Sequence, residues 1–114
     1  MNIEELKVQV RLWAASEPLV NKAYIFGSRY RGSHHKNSDL DLAIEIIKMP
    51  NDSGPYATFS FEKTNLLASI AKRVPYLIDL QWYGGAIETP TIRKGILQSS
   101  ELVFCNTLIA TVDS

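Results

Sequence analysis

Two aspartates, Asp39 and Asp41, interrupt the run SDLDLAIEI, in which Leu40, Leu42, Ile44 and Ile46 otherwise alternate strictly. In a strand, successive side chains point to opposite faces, so the carboxylates share one face and the aliphatics the other. A half-exposed strand showing polar residues to water would give the same pattern. Same-face neighbours, however, sit about 7 Å apart, where two unit charges repel by on the order of 2 kcal/mol at an effective dielectric near 20. A divalent cation reverses that sign, and hard Mg²⁺ takes one or two carboxylates, substrate phosphates and water as its ligands. The acidic face is then half of a metal site.

The other half must hold phosphate. Gly27-Ser28 ends the short apolar run AYIF, and glycine permits backbone conformations and a close approach that other residues deny. A helical turn following it would present free N–H groups and a hydroxyl to an anion, with Arg29 and Arg31 adding charge. Gly27 and Gly32 have the spacing of a P-loop, but Ser33 and His34 stand where its Lys and Ser/Thr belong, which excludes that motif. Asp79, in LIDLQWY, lies opposite Ile78 and Leu80. If its strand neighbours that of Asp39, three carboxylates converge on two metal ions. One ion lowers the pKa of an attacking hydroxyl and the other neutralises the leaving phosphates. Glu45 shares the face of Asp41, two same-face positions deeper, and reads as a solvated strand residue. His34-His35 has no third ligand at hand, Cys105 being the only cysteine, so zinc is not expected. Tyr76, Trp82 and Tyr83 read as core before they read as base-stacking groups.

The elements that must position these residues follow from periodicity. Ile3, Leu6, Val10 and Trp13 recur at helical spacing and predict a helix from Ile3 to about Ala15, which Pro18 prevents from continuing; Val8 and Leu12 fall off that stripe. Strands are expected at Ala23–Phe26 and Ser38–Ile46, then a surface loop over KMPNDSGP, Lys48–Pro55. A helix over Phe59–Arg73 would bury Leu66, Leu67, Ile70 and Ala71. Leu77–Tyr83 alternates as a third strand, stopped by Gly84-Gly85. Thr91–Ser99 follows as a helix with Thr89 as its cap and Pro90 at its first position, and Leu102–Cys105 as a fourth strand. The tail Asn106–Ser114 would fray or join a sheet edge. This order gives an α/β arrangement around one mixed sheet.

Composition narrows the functional classes. A chain of 114 residues suits one domain, residues 1–114, around a single core. Twelve basic and twelve acidic residues cancel, so direct nucleic-acid or anionic-membrane binding is not expected, and phosphate recognition must be local. No apolar run approaches the roughly 20 residues of a membrane helix. With a lone cysteine and an opening MNIEELKVQVRLW that is amphipathic rather than a signal peptide, the cytoplasm is the expected location.

Gly27-Ser28, ten further residues, Asp39-x-Asp41 and a later strand Asp79 together resemble the minimal nucleotidyltransferase domain of the DNA polymerase β-like superfamily. The pattern is especially similar to the MntA-type antitoxin subunit of HEPN/MNT toxin–antitoxin pairs. The likeness spans nearly the whole chain, to the closing IRKGILQSSELVF. It implies a single-domain polymerase β-like fold, a mixed sheet of about four strands with flanking helices. It further implies that Gly27 and Ser28, with Arg29 and Arg31, hold a triphosphate, and that Asp39, Asp41 and Asp79 bind two Mg²⁺ ions. The implied reaction moves AMP from ATP onto a hydroxyl, a tyrosine of a HEPN-type partner toxin, releasing pyrophosphate. Asp79 would accept the hydroxyl proton, and the working form would be a hetero-oligomer or a homodimer. Two rivals stay open: an antitoxin that neutralises by covering its toxin, and an aminoglycoside-type small-molecule transferase, which the lack of a second domain disfavours.

Overall fold

The computed structural model describes residues 1–106. Helix α1 (Ile3–Ser16) starts where the Asn2 side chain accepts the Glu5 N–H at 2.8 Å, and it buries Leu6, Val10, Trp13 and Ala14. Val8 and Leu12 stay 44% and 47% exposed, as their positions off the stripe require. The chain continues through β1 (Val20–Phe26), the short α2 (Gly27–Arg31) and β2 (Leu40–Ile46), then α3 (Pro55–Ala71) and β3 (Ile78–Trp82). It closes with α4 (Gly85–Glu88), α5 (Pro90–Gln98) and β4 (Ser100–Cys105).

The strands form one mixed sheet in the order β3-β2-β1-β4. Strand β1 runs antiparallel to both β2 and β4, while β2 and β3 are parallel because α3 carries the chain back between them. One sheet face presents Ile25, Leu40, Leu42, Ile44, Leu80 and Val103 to the core shared with α1 and α3. The two helices are tied where the buried Trp13 Nε1 donates to Ser69 Oγ at 2.7 Å, satisfying an indole N–H that burial would otherwise orphan. The opposite face carries Asp41, Asp79 and Gln81, and is covered toward β4 by α5, whose Gly95 lies against the Phe26 ring.

Several boundaries differ from the sequence reading for identifiable reasons. Strand β1 begins at Val20, because Lys22 pairs with Glu45 in the ladder despite being charged. Strand β2 begins at Leu40, leaving Ser38 and Asp39 just outside it. Helix α3 begins at Pro55, four residues before Phe59. Proline at the first position lacks an N–H that would be unpaired anyway, and the buried Thr58 hydroxyl donates to Asp52 Oδ2 at 2.6 Å while accepting the Met49 N–H at 3.0 Å. At its far end Ala71 is exposed rather than buried. Gly84-Gly85 does not merely stop β3 but opens α4. Thr89 occupies the cap position of α5 but spends its hydroxyl on that turn, accepting from Gly84 N and donating to Gly85 O. The tail beyond Asn106 lies outside the described residues.

Candidate active site

Parallel pairing sets Asp41 directly beside Asp79, in a register that also aligns Leu40 with Ile78 and Leu42 with Leu80. Antiparallel pairing sets Phe26 opposite Asp41, so the chain turns at Gly27 immediately against the Asp41 carboxylate. A Cβ built on Gly27 would fall on Asp41 Oδ2, and Gly27 has φ +77°, in the left-handed region. Two independent constraints therefore demand glycine here. Ser28 follows, half-buried, with its carbonyl accepting the N–H groups of Gly32 and Ser33 to close the turn.

The electrostatics are those of crowded acids. The Asp41 carboxyl is pushed up to about 6, first by burial, then by the facing Asp79 charge and the hydrogen bond shared with it, then by Asp39, while Arg31 pulls it back. Asp39 is exposed at the mouth of β2, and Asp79 is half-buried with its Oδ1 accepting Gln81 Nε2 at 2.7 Å. Gln81 was absent from the sequence reading, although its place two residues beyond Asp79 puts it on the same strand face. Among the described residues no three acidic, histidine or cysteine side chains form a ready-made cation cage. The donors present are hard carboxylate oxygens, and burial together with their mutual repulsion raises the Asp41 pKa, which fits Mg²⁺ completed by phosphate and water.

The two arginines part company. Arg31 is exposed and its charge reaches Asp41. Arg29, expected on phosphate, is only 5% exposed and points inward: Nε donates to Ser38 O at 2.9 Å, Nη2 to Lys36 O at 3.4 Å, and the guanidinium stacks 3.6 Å from the Tyr76 ring centroid. Tyr76 is thereby occupied, and Trp82 packs on Tyr56 at 5.2 Å. Glu45 is not simply solvated, since Tyr24 Oη donates to its Oε2 at 3.3 Å and Lys22 lies 4.0 Å away. A cleft of about 470 Å³ opens beside it, walled by Tyr24, Trp82, Tyr83 and Arg93.

The raised Asp41 pKa makes a prediction for the metal-free protein. An ordinary unfolded aspartate titrates near 3.9, so this group's contribution to stability is fully present below that pH and lost as pH rises through about 6. Asp41→Asn removes the loss. Allowing for solvent screening of a half-exposed group, urea denaturation should show the variant gaining on wild type by on the order of 1 kcal/mol between pH ~4 and pH ~7.5. An equal difference at both pH values would contradict the raised Asp41 pKa.

Sequence and structural comparisons agree on the fold. The family model described as "Polymerase beta, Nucleotidyltransferase" matches residues 9–108. The chain belongs to the polymerase β nucleotidyltransferase family. This nucleotidyltransferase also shares its fold with solved structures of low sequence identity. A toxin–antitoxin crystallised with AMP-PNP superposes with TM-score 0.59 at 18% identity over 96% of this chain and 80% of that one. A mutant of the toxin–antitoxin MntA-HpeT gives 0.62 at 17% over 95% and 78%. A tri-AMPylated Shewanella oneidensis HEPN toxin in complex with MNT antitoxin gives 0.55 at 14% over 96% and 76%. Comparison with curated protein sequences gives no match. Among the described residues of the nucleotidyltransferase, no helix is long and apolar enough to cross a membrane.

Proposed function

We propose that this nucleotidyltransferase is an antitoxin that transfers AMP from ATP to a tyrosine hydroxyl of a HEPN-type toxin, using Asp39, Asp41 and Asp79 as Mg²⁺ ligands. The observation carrying the reading is the abutment of the Gly27 turn on the in-register pair Asp41–Asp79, which brings a bare backbone and two carboxylates to one point. The Gly27 backbone and the Ser28 hydroxyl take the β- and γ-phosphates, with Arg31 the available cation. The nucleoside runs along the same sheet face toward the cleft beside Tyr24 and Tyr83, whose aromatic walls suit a base. Mg²⁺, when bound, would neutralise phosphate charge and favour the ionised acceptor. Asp79, whose Oδ1 accepts from Gln81 Nε2 and whose strand lies at the sheet edge, would receive the acceptor's proton. The acceptor comes from outside, since the edge strand leaves that side open to a partner. ATP and a HEPN partner are drawn from the fold relatives, crystallised as toxin–antitoxin complexes, one with AMP-PNP and one with an AMPylated toxin.

Thermal melting tests the ligand set. Mg²⁺ and ATP together should raise Tm by more than the sum of their separate effects, because phosphate oxygens complete a shell that the carboxylates leave open. A melting curve unmoved by saturating amounts of both would overturn the reading.

A further inference from the structure

Arg29 is buried without an ion pair: its guanidinium is met by two carbonyls and a ring face, and no acid pairs with it among the described residues. Burying a cation this way costs stability that a neutral side chain of similar volume would not. What the fork gains is geometric. Its own backbone belongs to α2, two residues after Gly27; its Nε holds the carbonyl of Ser38, the residue before Asp39; its flat face lies on Tyr76, two residues before β3 begins. The loop between α2 and β2 is otherwise exposed over residues 32–37. Where that loop enters β2, the ladder starts with Leu40 N donating to Leu77 O at 2.9 Å.

We propose that Arg29 is a positioning residue for nucleotide transfer, a three-way clamp that fixes the approach to Asp39 and the entry of the Asp79 strand relative to the phosphate-binding turn. The proposal rests on the reading of these carboxylates and this turn as the nucleotide site. Lysine retains the charge but lacks the planar fork that meets two carbonyls while lying flat on a ring, so charge and geometry separate in one substitution. Arg31, whose charge does reach Asp41, performs the electrostatic role that Arg29 does not.

The test compares wild type, Arg29→Lys, Tyr76→Leu and Tyr76→Phe by calorimetric titration with ATP at limiting and saturating Mg²⁺, alongside hydrogen exchange of the ligand-free proteins. Arg29→Lys should bind ATP about tenfold more weakly at limiting Mg²⁺, the equivalent of one charge-assisted hydrogen bond, and recover at saturating Mg²⁺ as the ion reorders the carboxylates. Tyr76→Leu should behave alike, and should serve alone if Arg29→Lys does not fold. Tyr76→Phe keeps the ring face and should match wild type. Exchange should rise in the two lesioned variants at residues 36–40 and 77–79 above the rest of the sheet. ATP affinity equal to wild type at every Mg²⁺ level, with only Tm reduced, would overturn the proposal by showing a purely structural arginine. Wild type that binds no ATP would instead overturn the functional reading; exchange unchanged at those segments would then overturn the clamp on its own.

Discussion

Asp41→Ala, mixed with a HEPN toxin, Mg²⁺ and labelled ATP, is expected to leave the toxin unlabelled, whereas wild type should add AMP to one of its tyrosines. Asp41 stands between Asp79, in register beside it, and the Gly27 turn, so its carboxylate is the one that touches both halves of the site. Its removal leaves Asp79 and Asp39 without the carboxylate that both act on, and the rate should fall by about a thousandfold, on the order of 4 kcal/mol of transition-state stabilisation. The fold should survive, because burial and the neighbouring acids raise the pKa of this carboxyl, so its removal relieves an unfavourable charge. Mass spectrometry of the toxin reads the outcome. Transfer near the wild-type rate would reduce the acid strand to surface. A toxin neutralised without any adduct by wild type would end the enzymatic account and favour neutralisation by covering.

Gly27→Val should be nearly as damaging, and for a different reason. The position has φ +77°, where a β-branched residue is strained by about 2 kcal/mol, and its Cβ would occupy the place of the Asp41 carboxylate. Backbone and acid cannot both keep their positions, so the variant should lose ATP-dependent thermal stabilisation altogether. The milder Gly27→Ala isolates the collision in a double-mutant cycle. In an Asp41→Ala background the collisions with the carboxylate oxygen and Cγ are gone and only a tight contact with the remaining Cβ is left, so the cost of Gly27→Ala in urea denaturation should shrink by roughly 1 kcal/mol, leaving the backbone strain and that contact. Additive costs would mean that Gly27 and Asp41 do not share the contact the structure shows.

Much of the molecule follows from local pattern. The apolar stripe of α1, the alternation of β2, Pro90 opening α5 and the family motif around Gly27-Ser28 and Asp39-x-Asp41 are set by spacings of a few residues, which dihedral geometry translates directly into faces and turns. Glycine before serine at a strand end also marks a special turn without any knowledge of what lies beside it. Within β2 the parity of Asp41 and Leu42 determines which side faces the core. Boundaries were less legible where side chains act across the chain: Thr58 reaching Asp52 and Met49 starts α3 early, and Thr89 serves the α4 turn instead of capping α5.

What only the tertiary structure decided is which strand lies beside which. Asp79 could have faced water on a distant strand; it meets Asp41 because Ile78 and Leu80 pack in register with Leu40 and Leu42 beneath α3, and a one-residue slip would have turned Asp79 to the other face. Arg29 is the converse. Its position in the sequence, next to Ser28 and two residues from Arg31, suggests phosphate, yet the fold turns it toward Tyr76, 47 residues away, and to the carbonyls of the loop between. Spacing along a chain fixes which residues share a face, whereas partners so remote in sequence are chosen by the packing of the whole sheet, and that packing placed Asp79 beside Asp41 and turned Arg29 toward Tyr76.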